Sequence, residues 1–225
     1  RLVDAPAAPA TTRCRRPAAG AATNTARRGA VTAAGVPAVW SGYAPSVSDT
    51  ALLIIDMIND YRHEDGEDLA TNVAEMLDPL HRLLTAARSH GGVDVVYVND
   101  NHEDFSVGGE GIVEAALSGR HPELVRPLVP TDGSTFLTKV RHSVFYATAL
   151  DYLLRQRGVG TLILTGQVTE QCILYSALDG HLRHYDVIVP PDAVAHIDPQ
   201  LGDAALKMMR RNMGAEIIES TRCLP

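Results

Sequence analysis

The sequence predicts an α/β fold, a doubly wound and mainly parallel sheet of six strands with helices on both faces, and three observations carry that reading. From Thr50 onward, short apolar runs of strand length alternate with longer segments whose apolar residues recur at helical spacing. The runs Ala51 to Ile55 (ALLII) and Thr161 to Leu164 (TLIL) are apolar enough to be covered on both faces, as strands of a parallel sheet are. Glycine and proline stand where elements should stop, at Gly91-Gly92, Gly158 and Pro190-Pro191.

In order, Ala51 to Ile55 is the first strand and ends at Asp56. The loop Met57 to Gly66 follows, then a helix over Asp68 to Ser89 with apolar positions at Leu69, Val73, Met76, Leu77, Leu80, Leu83 and Leu84, which Pro79 is positioned to kink or divide. Val93 to Val98 is the second strand. A loop-rich stretch from Asn99 to Pro130 holds a short helix near Ile112 to Leu117, and Thr135 to Leu137 is a third, short strand ending near Lys139. Ala147 to Arg157 is helical, Thr161 to Leu164 is the fourth strand, and Cys172 to His184 is an amphipathic helix with Thr169 as its N-cap. Asp186 to Val189 is the fifth strand, Pro199 to Asn212 the last helix and Ala215 to Ile218 the sixth strand.

At 225 residues, 45% apolar and 21% charged, the chain can bury one sizeable core. Its longest apolar runs are far short of the roughly 20 residues of a spanning helix, so no membrane association is expected. The three cysteines, Cys14, Cys172 and Cys223, do not suggest a disulfide framework and fit a reducing, cytoplasmic setting. Residues 1–30 hold six arginines against Asp4, so they carry +5 and the remaining 195 residues carry −12 of the total −7. An acidic body argues against nucleic acid as a partner. Residues 1–45, rich in Ala, Pro and Arg, read as a disordered or loosely ordered extension, translated from upstream of the natural start or resembling a transit peptide, and residues 46–225 as the folded domain.

In open sheets of this class, sites form beyond the carboxyl ends of the strands. Asp56, Lys139 and Cys172 stand at three such ends. Singly, each has a structural explanation: a turn-capping aspartate, a solvated lysine, a small buried cysteine. Together on one rim they suggest chemistry. A cysteine in the first turn of a helix meets unpaired N–H groups and the positive end of the helix dipole, which favour its thiolate, and a nearby ammonium would add to that.

Three segments then carry a resemblance: Asp56-Met57-Ile58-Asn59-Asp60-Tyr61, Lys139-Val140-Arg141-His142-Ser143-Val144-Phe145, and Gly166-Gln167-Val168-Thr169-Glu170-Gln171-Cys172. Their order and spacing are similar to the D-x-Q-N-D-F, K-x-x-x-S-x-F and G-x-x-T-x-x-C patterns of the isochorismatase-like cysteine hydrolases, over about Thr50 to Ile218. The resemblance implies a strand order of 3-2-1-4-5-6, an Asp56-Lys139-Cys172 triad, a cis peptide bond between Gln167 and Val168, and a homo-oligomer. It also implies hydrolysis of a C–N bond in a small amide-type molecule through a thioester. The backbone N–H groups of Val168, Thr169 and Cys172 are then the candidate oxyanion hole.

Ile58 and Tyr61 depart from the family's usual Gln and Phe, which bears on substrate rather than mechanism. Tyr61, Phe105, His142 and Phe145 are candidates for the substrate pocket, with His63 a further loop residue near it, although Phe145 and Tyr146 also fit as packing for the following helix. Nicotinamidases of the family carry a metal site that begins D-x-H after the second strand. Asp100-Asn101-His102, with His121, is the corresponding candidate here, but Asn101 replaces the usual aromatic residue, and neither metal nor cofactor is expected. Two alternatives stand beside the cysteine hydrolase: a non-enzymatic scaffold or binding protein retaining the fold, and a nicotinamidase-type metal-containing amidase. Cleavage of isochorismate itself is disfavoured, because the resemblance associates that reaction with replacement of the cysteine.

Overall fold

The structure, a computed structural model, describes residues 48–102 and 104–225. The expectation of a disordered extension over residues 1–45 lies outside the described residues. Strand β1 (Thr50–Ile55) is buried along its whole length. Its alternate side chains divide between two cores: Leu52 and Ile54 face one side of the sheet, Ala51, Leu53 and Ile55 the other. This two-faced burial is why the segment reads as a continuous apolar run rather than an alternating one.

Around β1 lie β2 (Val93–Asp100), β3 (Thr135–Lys139), β4 (Thr161–Gln167), β5 (Asp186–Val189), β6 (Val194–Ala195) and β7 (Glu216–Ile217). The sheet order is β3-β2-β1-β4-β5-β7, all pairings are parallel, and β6 pairs with the end of β4. The doubly wound fold and the expected order of the six main strands are present, and the seventh strand is the difference. β6 comprises two residues, too short for any periodicity to announce it, and its pairing is Gly166 with Val194 and Gln167 with Ala195. Asp192, just before it, accepts hydrogen bonds from the Ser220 backbone N–H (2.8 Å) and hydroxyl (2.6 Å), which fastens the C-terminal segment to the sheet.

One face is covered by α1 (Gly66–Ser89), α2 (Gly109–Leu117) and α3 (Pro122–Val125). The other is covered by α4 (Leu150–Arg157), α5 (Leu174–Leu182) and α6 (Pro199–Met213). Pro79 lies inside α1 without dividing it. Its missing N–H removes one rung of the ladder, while Val73, Met76, Leu80 and Leu84 on the buried stripe hold both halves to the sheet. Gly158 closes α4 in the left-handed conformation (φ 76°), as its position predicted, and Asp198 caps α6 by accepting from the N–H groups of Gln200 and Leu201.

The strands on either side of the site are longer than their apolar cores. β2 runs on to Asp100, β3 to Lys139 and β4 to Gln167, so polar rim residues are part of the ladder itself. Asp100 and Lys139 are register partners, and Ile55, which precedes Asp56, is paired with both Val98 and Gly166.

Candidate active site

Asp56 leaves β1 with left-handed backbone (φ 53°), an arrangement aspartate tolerates better than most residues. Its Oδ1 accepts the Asp100 N–H at 2.7 Å, and its carbonyl accepts the Gln167 side-chain amide at 2.6 Å. Its Oδ2 lies 2.9 Å from the Lys139 Nζ. Gly166 makes this approach of β4 to β1 feasible: at φ 108°, a Cβ there would fall 2.1 Å from the Ile55 carbonyl oxygen. Asn99 binds both backbone polar groups of Ile58, accepting its N–H at 3.0 Å and donating to its carbonyl at 3.1 Å, which fixes the loop after Asp56.

Lys139 is buried and reaches three partners. Besides Asp56, its Nζ is 3.3 Å from the Asp100 Oδ2 and 3.6 Å from the Cys172 Sγ. Burial works against the ammonium, but the adjacent Asp56 carboxylate first, with Asp100 adding to it, holds its pKa above the usual lysine value. The loop beyond it is tied to α5: Ser143 donates to Asp179, and the Val144 N–H donates to the Ser176 hydroxyl at 3.1 Å.

Cys172 sits in a π-helical turn, Thr169–Ile173, that leads into α5, and the preceding Gln167–Val168 bond is cis as expected. The turn differs from the expected capped α-helix. Val168 occupies the cap position with no side-chain hydrogen bond, and the Thr169 Oγ1 is buried without a partner. Glu170 anchors the turn instead, its Oε1 accepting the N–H groups of Ile197 and Asp198 at 2.9 Å each, so the turn is tied to the start of α6.

The thiol responds to the same surroundings. Its pKa lies above the ordinary range, chiefly through burial, and the Asp56 carboxylate adds to the rise through its charge and by accepting the thiol's hydrogen bond. The Lys139 ammonium and the Val168 N–H, both directed at the sulfur, favour the thiolate but do not offset these effects. Burial and the Asp56 carboxylate thus oppose the helix-end and ammonium effects that favour a thiolate.

A pocket of about 310 Å³ opens over the sulfur. Of the residues expected to line it, His142 does, with its Nδ1 3.8 Å from Sγ, and so does His63. Tyr61 does not: it is fully buried, edge-on to His121 at 5.6 Å, its N–H held by the Asn59 side chain at 2.7 Å. Phe105, 80% exposed, borders a separate surface hollow with Arg141 and Tyr146. Phe145 is buried and stacked on Tyr185 at 5.9 Å, filling the packing role that its position also allowed. Sequence reasoning passed over Asp100 as a partner of Lys139, although its place at a strand end was visible, and Gln167 as a pocket residue, three residues beyond the recognised strand. Ile197, which also lines the pocket, carries no sequence signal.

The candidate metal ligands do not assemble. Asp100 and His102 border the pocket, but Asp100 is engaged by the Lys139 ammonium through Oδ2 and by the His102 N–H through Oδ1 at 2.8 Å. His121 instead bonds Glu67 and Glu123, each at 3.1 Å. Among the described residues there is no group of three or more His, Cys, Asp or Glu side chains suited to a metal ion. The residues present do not fit a nicotinamidase-type metal site. No helix among the described residues is long and apolar enough to cross a membrane.

Comparison with known proteins places the chain in a family. The family model described as the isochorismatase domain matches residues 50–222. An uncharacterized isochorismatase family protein of Bacillus subtilis is 33% identical over 172 residues, covering 76% of this chain and 94% of its own. A ureidoacrylate amidohydrolase of Methylorubrum extorquens is 33% identical over 215 residues, covering 84% of this chain and 86% of its own. The crystal structure of N-carbamoylsarcosine amidase from Thermoplasma acidophilum is 30% identical with a TM-score of 0.60, covering 79% of this chain and 99% of that one. The chain belongs to the isochorismatase-like hydrolase family.

Proposed function

We propose that the protein is a cysteine hydrolase that cleaves a C–N bond, other than a peptide bond, in a small amide-type molecule, with Asp56, Lys139 and Cys172 as its triad. The observation that carries the reading is the buried Lys139 ammonium, 2.9 Å from the Asp56 carboxylate and 3.6 Å from the Cys172 sulfur, beneath a pocket. Relatives named as an amidohydrolase and an amidase support the reaction class.

In the proposed cycle Asp56 takes the thiol proton as Sγ attacks the amide carbon, forming the S–C bond. Negative charge on the carbonyl oxygen meets the N–H groups of Val168, Thr169 and Cys172, of which Val168 already points at the sulfur. As the C–N bond breaks, Asp56 returns its proton to the nitrogen and ammonia or an amine departs. Water then attacks the thioester, its proton passes to Asp56, the S–C bond breaks, and Cys172 regains that proton as the acid leaves. Lys139 keeps Asp56 oriented and stabilises the thiolate as it forms. A raised thiol pKa suits this cycle, in which Asp56 acts as the base. The same reading carries a cytoplasmic homo-oligomer acting without a cofactor.

The test is ammonia release from a panel of small primary amides and N-carbamoyl compounds by the wild-type protein beside Cys172→Ser. Release that depends on Cys172 is expected. Release from no compound of the panel would favour a scaffold that retains the fold.

A further inference from the structure

The pocket over Cys172 adjoins a second cavity of about 210 Å³, and His102 lines both. The walls of this cavity are apolar: Ile58 from the loop after β1, Val107, and Ile112, Ala115 and Ala116 from α2. Its polar lining includes Asp60 and Asp104, and the Ser106 hydroxyl and N–H hold the Asp104 carboxyl below the usual carboxylate range. The first pocket contributes Asp56, Asp65 and Asp100. Among the described residues that line the two spaces, Lys139 is the only lysine or arginine, and its ammonium is already engaged by Asp56 and Asp100.

We infer that the second cavity seats the organic group of the substrate, and that this group is apolar and carboxylate-free. The inference rests on the reading of Cys172 as nucleophile. An amide carbon placed against Sγ leaves its substituent to run past His102, where apolar walls reward each buried methylene by roughly fourfold in affinity. A carboxylate on that substituent would give up water without gaining a free cation and would face Asp60, Asp104 and Asp100. Asp60 accepts the Arg62 N–H and Asp104 accepts Ser106, so both acids are held in local turns. The cavity therefore selects by shape and apolarity within an acidic surround.

The test compares three amides: acetamide, hexanamide and adipamic acid, which has the hexanamide chain length with a terminal carboxylate. Affinity is measured by calorimetry on Cys172→Ala, so that chemistry is blocked, and ammonia release is measured on the wild type. Hexanamide is expected to bind at least about tenfold tighter than either of the others. Ala115→Phe, at an exposed position on α2 that lines the cavity, is expected to bring hexanamide to within about threefold of acetamide. Adipamic acid binding as tightly as hexanamide, a hexanamide-to-acetamide ratio unchanged by Ala115→Phe, or no binding of any of the three would overturn the inference. The expected order of binding with no ammonia release from wild type would keep the cavity's role and remove the amidase reading instead.

Discussion

The Lys139 Nζ lies 2.9 Å from the Asp56 Oδ2 and 3.3 Å from the Asp100 Oδ2. With the Lys139 side chain wholly buried, removing its charge leaves Asp56 and Asp100 facing each other without a cation. Lys139→Met is expected to lower unfolding free energy by about 3 kcal/mol or more, as breakage of buried ion pairs does, and to abolish turnover. Urea denaturation and ammonia release on the same preparation check both.

Asp56→Asn should separate thiol reactivity from catalysis. The asparagine removes the carboxylate's charge and its hold on the thiol proton, both of which raise the Cys172 pKa, while Lys139 and the Val168 N–H continue to lower it. The thiol pKa should fall, and alkylation by iodoacetamide at pH 8 should quicken by about tenfold, one pKa unit's worth. Turnover should nevertheless be lost, because the base is gone. Slower alkylation in Asp56→Asn would show that the carboxylate does not hold the proton on sulfur.

Gly166→Ala is expected to destabilise the fold by about 2 kcal/mol or more, through strain at a positive φ and a clash with backbone that has no side-chain freedom to yield. The new Cβ would fall 2.1 Å from the Ile55 carbonyl oxygen in the pairing that sets Asp56 beside β4. A thermal melt of the variant reads the loss.

Alkaline pH should weaken the fold. Burial first, then the charges of Asp192 and Glu219, push the Cys223 thiol up to about 12. The native state thus keeps a proton that the unfolded chain gives up from about pH 8.5, so stability falls as pH rises from there toward 12. Cys172 and Lys139, also raised, act in the same direction. Cys223→Ala should make the decline shallower, by a slope that grows to about 1.4 kcal/mol per pH unit near pH 10, measured by urea denaturation between pH 7.5 and 10. An unchanged slope would show that Cys223 titrates alike in both states.

The legible part of the site is the part that strand ends determine. Asp56, Lys139 and Cys172 each follow an apolar run or open a helix, and parallel register brings such ends to one rim whatever the loops do. Properties set by burial were not legible. The helix-end position of Cys172 and a nearby ammonium argued for effects that favour a thiolate, but the rise in the thiol pKa comes first from burial of the sulfur, which no local pattern encodes. Tyr61 sits in the motif that carries Asp56, yet the left-handed turn at Tyr61 itself (φ 56°) goes with a side chain buried in the core rather than in the pocket. Asp100 was visible at a strand end, but its engagement with Lys139 rather than a metal depended on the pairing of β2 with β3.

An acyl group carried on Cys172 would be intercepted by hydroxylamine during turnover of an amide substrate. A thioester partitions between water and hydroxylamine, so the wild type should yield the hydroxamate at the expense of the acid, while Cys172→Ser should yield neither above background. Acid formation by Cys172→Ser at the wild-type rate would show that no acyl group is carried on Cys172.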